Sequence, residues 1–192
     1  LALYWPYIFF LTHIRRVPPW ILRAGISDKT LHYLGYLVLS FLLWSAVRPQ
    51  TKVRWSRRTV WLVLAVCAVY AIIDEYFQGY VGRNTEIADF AADMAGVLTG
   101  LFVLTIFSFW PAALVLTGIS IFVLTNYTRT DISGLLPVTS TMFGFLLYGL
   151  FTVLWVRCIH GFLKNGYRWW QWPAAAVSLP AFFLITVELY AL

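Results

Sequence analysis

Charge is what this chain has least of. Asp, Glu, Lys and Arg make up 11% of its 192 residues, against roughly a quarter in an ordinary soluble domain. That scarcity excludes a water-exposed globular fold and leaves no stretch for a separate soluble domain. Cysteine is nearly absent as well. Cys67 and Cys158 stand far apart and form no close motif, so neither a disulfide nor a thiolate metal centre is expected. Lys and Arg outnumber Asp and Glu by 14 to 8. These cations sit at the ends of apolar runs, as membrane-flanking residues do. The basic balance therefore implies membrane lipids as partners and no nucleic acid.

What is abundant is apolar surface. Hydrophobic residues reach 61%, and many of the ten Trp fall near the ends of apolar runs, where aromatic belts form. The fold class this implies is all-α, a polytopic transmembrane helical bundle of about seven membrane helices. Residues 1–14 are too short for a span and are expected to complete one that starts before Leu1. Further spans are expected at 31–47, 59–76, 86–107, 111–125, 139–156 and 172–192, the last kinked at Pro180. Asp28 is placed to cap the helix that follows it. Gly35, Tyr36 and Arg48 recur at one offset as Gly144, Phe145 and Arg157, a likeness ascribed to chance between apolar helices. Asn126-Tyr127-Thr128 fits a glycosylation acceptor, a short and common motif.

Alternate loops differ slightly in basic residues. The loops near 48–58 and 157–169 carry eight, and the opposite side carries six. The richer side is expected to be cytoplasmic. Loops 15–30, 77–86 and 126–138 then face outward, in a bacterial cytoplasmic membrane.

Five of the eight acidic residues lie between Asp74 and Gly100. Ionisable groups inside a membrane span are costly, so they pair or serve a function. Asp89, Asp93, Gly96 and Gly100 are spaced four, three and four apart, which is one helix face. That face carries two carboxylates and then a small-residue groove for a neighbouring helix, formed by Gly96 and Gly100; Val97 lies off it, so Gly96→Leu is expected to harm assembly more than Val97→Leu. His32 and Tyr36 share a face in the same way, and Glu75 and Gln78 are three apart. Alternation of spans gathers Asp28, Lys29, His32, Asp74, Glu75, Gln78, Arg83, Glu86 and Asp89 near one membrane face, with Asp93 a turn deeper. His32, Glu75, Arg83 and Asp89 are expected to meet there, Arg83 touching Glu75, Glu86 or Asp89.

Three segments, DKTLHYLGY, DEYFQGYVGR and DFAADMAGVLTG, carry a resemblance to the VanZ-like membrane proteins. The family pattern is Asp-Lys-x-x-His, then Glu-x-x-Gln, a following Arg, and an Asp-x-x-x-Asn-x-x-Gly-x-x-x-Gly helix. Asp28, Lys29, His32, Tyr36, Glu75, Gln78, Arg83, Asp89, Gly96 and Gly100 match it. Asp93 stands where the family usually has Asn. The resemblance covers about residues 1–107, a four-helix membrane unit, and 108–192 would add three further membrane helices to the same bundle. It implies a cell-envelope role linked to resistance to glycopeptides of the teicoplanin type.

Four readings of the cluster stand side by side. Its charges pair only to fix helix packing. It binds an envelope ligand, with Arg83 suited to a phosphate or carboxylate and the carboxylates to an amine or a cation. It is an enzyme on a lipid phosphate or diphosphate, with Asp89 and Asp93 as weak candidates for Mg²⁺. Or the protein is an accessory subunit of a larger membrane complex. No nucleophile arrangement points to catalysis. No cofactor is assigned, and His13 and His160 are weak candidates for contacts to lipids, quinones or pigments.

Overall fold

The computed structural model describes residues 1–13, 27–80, 86–127, 137–162 and 171–191. Among them there is no strand. Seven helices follow one another: α1 Tyr4–Thr12, α2 Asp28–Val47, α3 Arg58–Tyr80, α4 Ile87–Ile106, α5 Phe109–Tyr127, α6 Pro137–Phe162 and α7 Gln171–Ala191. The all-α expectation holds. Three of the helices, α2, α3 and α4, are long and apolar enough to cross a membrane. Each spans at least 20 residues, the length that matches a hydrocarbon core at 1.5 Å per residue. The apolar stretches of the later helices are shorter, at Phe109–Leu124, Leu146–His160 and Ala174–Thr186.

The chain divides into two compact units, one reaching Phe109 and the other carrying Trp110–Leu192. In the first, the dominant packing is between α2 and α4 rather than between chain neighbours. The reason is in the glycines. A methyl group on Gly96 would strike the carbonyl oxygen of Tyr33 and stand 2.9 Å from the Leu37 nitrogen. One on Gly100 would strike the Ser40 hydroxyl and stand 3.0 Å from the Leu37 carbonyl. Two helix backbones approach this closely only where side chains are missing. Both contact series advance along their helices together, so α2 and α4 run parallel. The buried face is broader than the small-residue row, since Val97 is also 0% exposed. Val97 packs beside the glycine row, because a stripe buried against two neighbours is wider than one row of side chains.

The connection after α2 closes the far end of this pair. Val53 donates its backbone N–H to the Leu104 carbonyl at 2.9 Å, and Lys52 reaches the Ile106 carbonyl at 2.6 Å. These are carbonyls that the last turn of α4 leaves without helical partners. A lysine there also faces the negative end of the helix dipole. Trp55 donates to Thr105 at 3.0 Å, and Trp44 donates to the Thr51 carbonyl at 2.8 Å.

Helix α3 covers the pair from the side. Val60, Val63, Cys67, Ala71, Asp74 and Gln78 face inward, a stripe at helical spacing. Trp61, Leu62, Val69, Ile72, Ile73 and Tyr76 are exposed, as lipid-facing residues should be. Helix α1 rests on both neighbours. Tyr4 donates to the Gly35 carbonyl at 2.8 Å, and Trp5 meets the Tyr70 ring edge-on at 5.4 Å.

The second unit is held by apolar contacts. Leu114, Ile121, Phe151, Leu154 and Cys158 form its core, packed by Leu179 and Phe183. Phe151 stacks on Phe183 at 4.8 Å beside Gly118. Trp155 donates to the Ala175 carbonyl at 2.8 Å. Helix α7 continues through Pro180.

If α3, long and apolar enough to do so, crosses a bilayer, a cysteine at Lys52 and one at Glu86 should react with a membrane-impermeant thiol reagent from opposite sides. The native Cys67 and Cys158 are buried and contribute little background. Labelling of both positions from one side would rule α3 out as a crossing.

Candidate functional site

The polar cluster is built where α2 and α4 begin and α3 ends. The first turn of α2 is capped by Ser27, whose hydroxyl accepts the Thr30 N–H at 3.1 Å. Asp28 is therefore not the cap that its position suggested. It is the first helical residue, where a carboxylate suits the positive end of the dipole. Lys29 follows and ties α2 to α4, with Nζ at 2.7 Å from Glu86 Oε2 and 3.5 Å from Asp89 Oδ1. One turn deeper His32 Nδ1 donates to Asp93 Oδ1 at 2.9 Å. Lys29 and Glu86 are half exposed, whereas His32 is 2% exposed and Asp93 0%. The ladder thus runs from the surface into the apolar interior. The Asp93 that departs from the family's usual Asn forms its deepest rung.

Helix α3 supplies the third wall. Glu75 Oε2 accepts the backbone N–H of Glu86 at 3.3 Å and so satisfies a group at the start of α4. Gln78 donates to Asp74 Oδ2 at 3.1 Å across one turn, and α3 continues to Tyr80, so Glu75 and Gln78 keep the three-residue spacing of one helix face. Asp74 also lies 3.6 Å from His13 at the end of α1. Tyr36 sits one turn below His32, its ring 5.8 Å from that of Tyr70.

Two groups of possible ligand atoms result. In one, His32, Glu75 and Asp93 each place a donor atom within 4.8 Å of the others. In the second, Asp28, His32 and Asp89 do the same. Asp89 and Asp93, the pair suggested for Mg²⁺, fall in separate groups, because Lys29 and His32 draw them to different levels. Arg83 lies outside the described residues, and with it the expected contact to Glu75, Glu86 or Asp89.

Sequence reasoning missed two members. The sequence offers His13 only as a weak candidate for a contact to a lipid, quinone or pigment, and gives Tyr70 no role. Yet Tyr70, Asp74 and Gln78 are spaced four apart, and alternation puts the end of α1 at the same membrane face.

Several buried polar atoms of the cluster have no hydrogen-bond partner among the described residues. They are His32 Nε2, Tyr36 Oη, Tyr70 Oη, Glu75 Oε1, Gln78 Oε1 and Asp93 Oδ2. Most buried polar groups in folded proteins are satisfied, so each of these needs a reason. A lateral groove of about 710 Å³ lies elsewhere, lined by Trp5, Phe9, Phe10 and Tyr70. It is apolar and meets the cluster only at Tyr70.

Three helices long and apolar enough to cross a membrane, apolar outside and polar at one inner end, define a helical membrane protein with a buried ionisable cluster. A profile of the VanZ/LLP1 family matches residues 3–108, over half of the chain, and the chain belongs to that family. No curated protein and no solved structure matches it.

Proposed function

We propose that this VanZ-family membrane protein binds a polar envelope ligand in the α2–α3–α4 cluster, and that through it the protein contributes to glycopeptide tolerance. One observation carries the reading. A cluster serving helix packing alone would consume its own donors and acceptors, because lipid offers none. Here His32 Nε2, Gln78 Oε1 and Asp93 Oδ2 are buried without partners among the described residues, which suits groups held ready for a ligand. In this reading the remaining helices complete a bundle of about seven membrane helices in a bacterial cytoplasmic membrane. The cluster opens to the outer face, where envelope precursors and lipid headgroups are met.

The test is teicoplanin susceptibility. A susceptible bacterium expressing the chain should tolerate at least twofold more teicoplanin than the empty-vector strain. Glu75→Gln and His32→Gln should remove that gain at equal abundance in the membrane. Unchanged tolerance in both variants would leave the cluster a packing device. Native mass measurement of the purified protein would separate a bound small ligand from stoichiometric partner subunits.

A further inference from the structure

The end of the first unit opposite the polar cluster holds cations and no carboxylate. The sequence has no Asp or Glu from Thr30 to Ile73, nor from Met94 to Phe109. Among the described residues the ion pairs all lie at the cluster end. At the other end the chain turns from α2 into α3. That turn carries Arg48, Lys52, Arg54 and Arg57, and Arg58 opens α3, all of them exposed. Lys52 is taken up by the Ile106 carbonyl. No hydrogen bond or ion pair among the described residues engages the other four side chains. Four guanidinium groups, permanently charged and rich in donors, stand in one short loop with no counter-charge in their own unit.

A basic loop beside a membrane span can serve as a topological signal and nothing more. Such a signal needs charge but no fixed shape, and this loop has one. It is tied to the end of α4 by Val53 on the Leu104 carbonyl, Lys52 on the Ile106 carbonyl and Trp55 on the Thr105 hydroxyl. Trp44 of α2 holds the Thr51 carbonyl. The backbone passes through Gln50 at a φ of 56°, a region few side chains enter and one that persists only where the surroundings hold it. A loop ordered in advance loses less entropy when it binds. Apolar surface lies directly beside the arginines. Val47, next to Arg48, is 47% exposed, and Trp61 and Leu62, in the first turns of α3, are 56% and 62% exposed. Trp61 meets the Trp55 ring edge-on at 6.1 Å and donates to the Trp55 carbonyl at 3.0 Å. Indole rings of this kind mark the level of lipid headgroups. Charge above and apolar surface below match an amphiphile with an anionic head. A free phosphate or a nucleic acid would engage the first and leave the second bare.

We propose that loop 48–58 is a binding site for an anionic phospholipid, whose phosphate is held by Arg48, Arg54, Arg57 and Arg58 and whose acyl chains lie along Trp61 and Leu62. Guanidinium groups suit this ligand because their planar fork donates two parallel hydrogen bonds to two phosphate oxygens. The site is at the opposite end of the first unit from the polar cluster, and it stands or falls independently of the ligand proposed there.

The purified chain, stripped of co-purifying lipid, is mixed in detergent with equal amounts of phosphatidylglycerol and phosphatidylcholine of the same acyl chains. Native mass spectrometry then counts the adducts. The phosphatidylglycerol adduct should exceed the other several-fold. Arg54→Gln should cut that preference about fivefold, the equivalent of the roughly 1 kcal/mol that one basic residue gains at an anionic surface. Arg54→Gln/Arg57→Gln should cut it further. Both side chains are exposed and unengaged among the described residues, so these variants should keep the wild-type unfolding midpoint. Arg157→Gln removes the same charge from a guanidinium that rests over the Trp110 ring at 5.2 Å, and it should leave the preference unchanged. Excess inorganic phosphate should not displace the lipid. Equal binding of the two lipids by the native chain overturns the proposal. An equal loss in Arg157→Gln and Arg54→Gln overturns it too, because the preference would then follow net charge and not this loop. Displacement by phosphate would make the occupant a free anion and sink the lipid assignment.

Discussion

Gly96→Ala is expected to destabilise the first unit by about 3 kcal/mol, the upper part of the usual range for overpacking. Alanine is ordinarily the better helix former by about 1 kcal/mol, so the sign of the effect is itself informative. The added methyl would meet the carbonyl of Tyr33 and the nitrogen of Leu37. Both belong to the α2 backbone, which cannot rotate away as a side chain can. Only separation of the helices makes room, and separation would also stretch the His32–Asp93 hydrogen bond one turn away. Gly100→Ala should cost less, because the atom it strikes first is the rotatable Ser40 hydroxyl. Gly35→Ala should cost least, since it meets only the flexible end of Ile8. Unfolding of the detergent-solubilised protein, followed by tryptophan fluorescence, measures the series. Leu98→Ala, at a position 45% exposed, serves as the control. Equal midpoints for Gly96→Ala and wild type would show that the helices do not touch as described.

The second large effect belongs to the deep rung. His32→Leu should cost about 3–5 kcal/mol, because it leaves the carboxylate of Asp93 buried without its partner. Asp93→Leu should cost less, since a neutral imidazole left alone is cheaper to bury than a carboxylate. The double replacement should be milder than the sum of the single ones, with a coupling within the roughly 0.5–3 kcal/mol seen for contacting residues. A double-mutant cycle on the purified protein reads that coupling directly. Strict additivity would mean that the two side chains do not interact and that the ladder ends at Lys29.

Much of this site was legible because membrane sequences are constrained so severely. Apolar runs of the right length mark the helices, and an ionisable group inside one demands a partner. The spacing of Asp89, Asp93, Gly96 and Gly100 therefore identified the inner face of α4 from sequence alone. Other features were hidden for physical reasons. Both Ser27 and Asp28 are good helix caps, and only the backbone conformation chooses between them. Asp74 and Glu75 are adjacent, and a rotation of one residue decides which of them meets Gln78. The width of the α4 interface, which takes in Val97, depends on a second neighbour that a single-helix pattern does not contain. Least legible was the pairing itself. Short connections suggest that α2, α3 and α4 pack in order, yet the closest contact joins the first and third. It arises because the glycines that permit it are in α4 and face α2.

That parallel pairing joins segments that are made far apart in time. His32 and Asp93 are 61 positions apart, and all of α3 emerges from the ribosome between them. Contacts of large sequence separation form late, after the chain between them has paid its loop-closure entropy. Through that interval the inner face of α2, with His32, Tyr36 and Ser40, has no α4 to cover it. The contacts of α2 with Asp93, Gly96 and Gly100 can therefore close only once α4 has joined it.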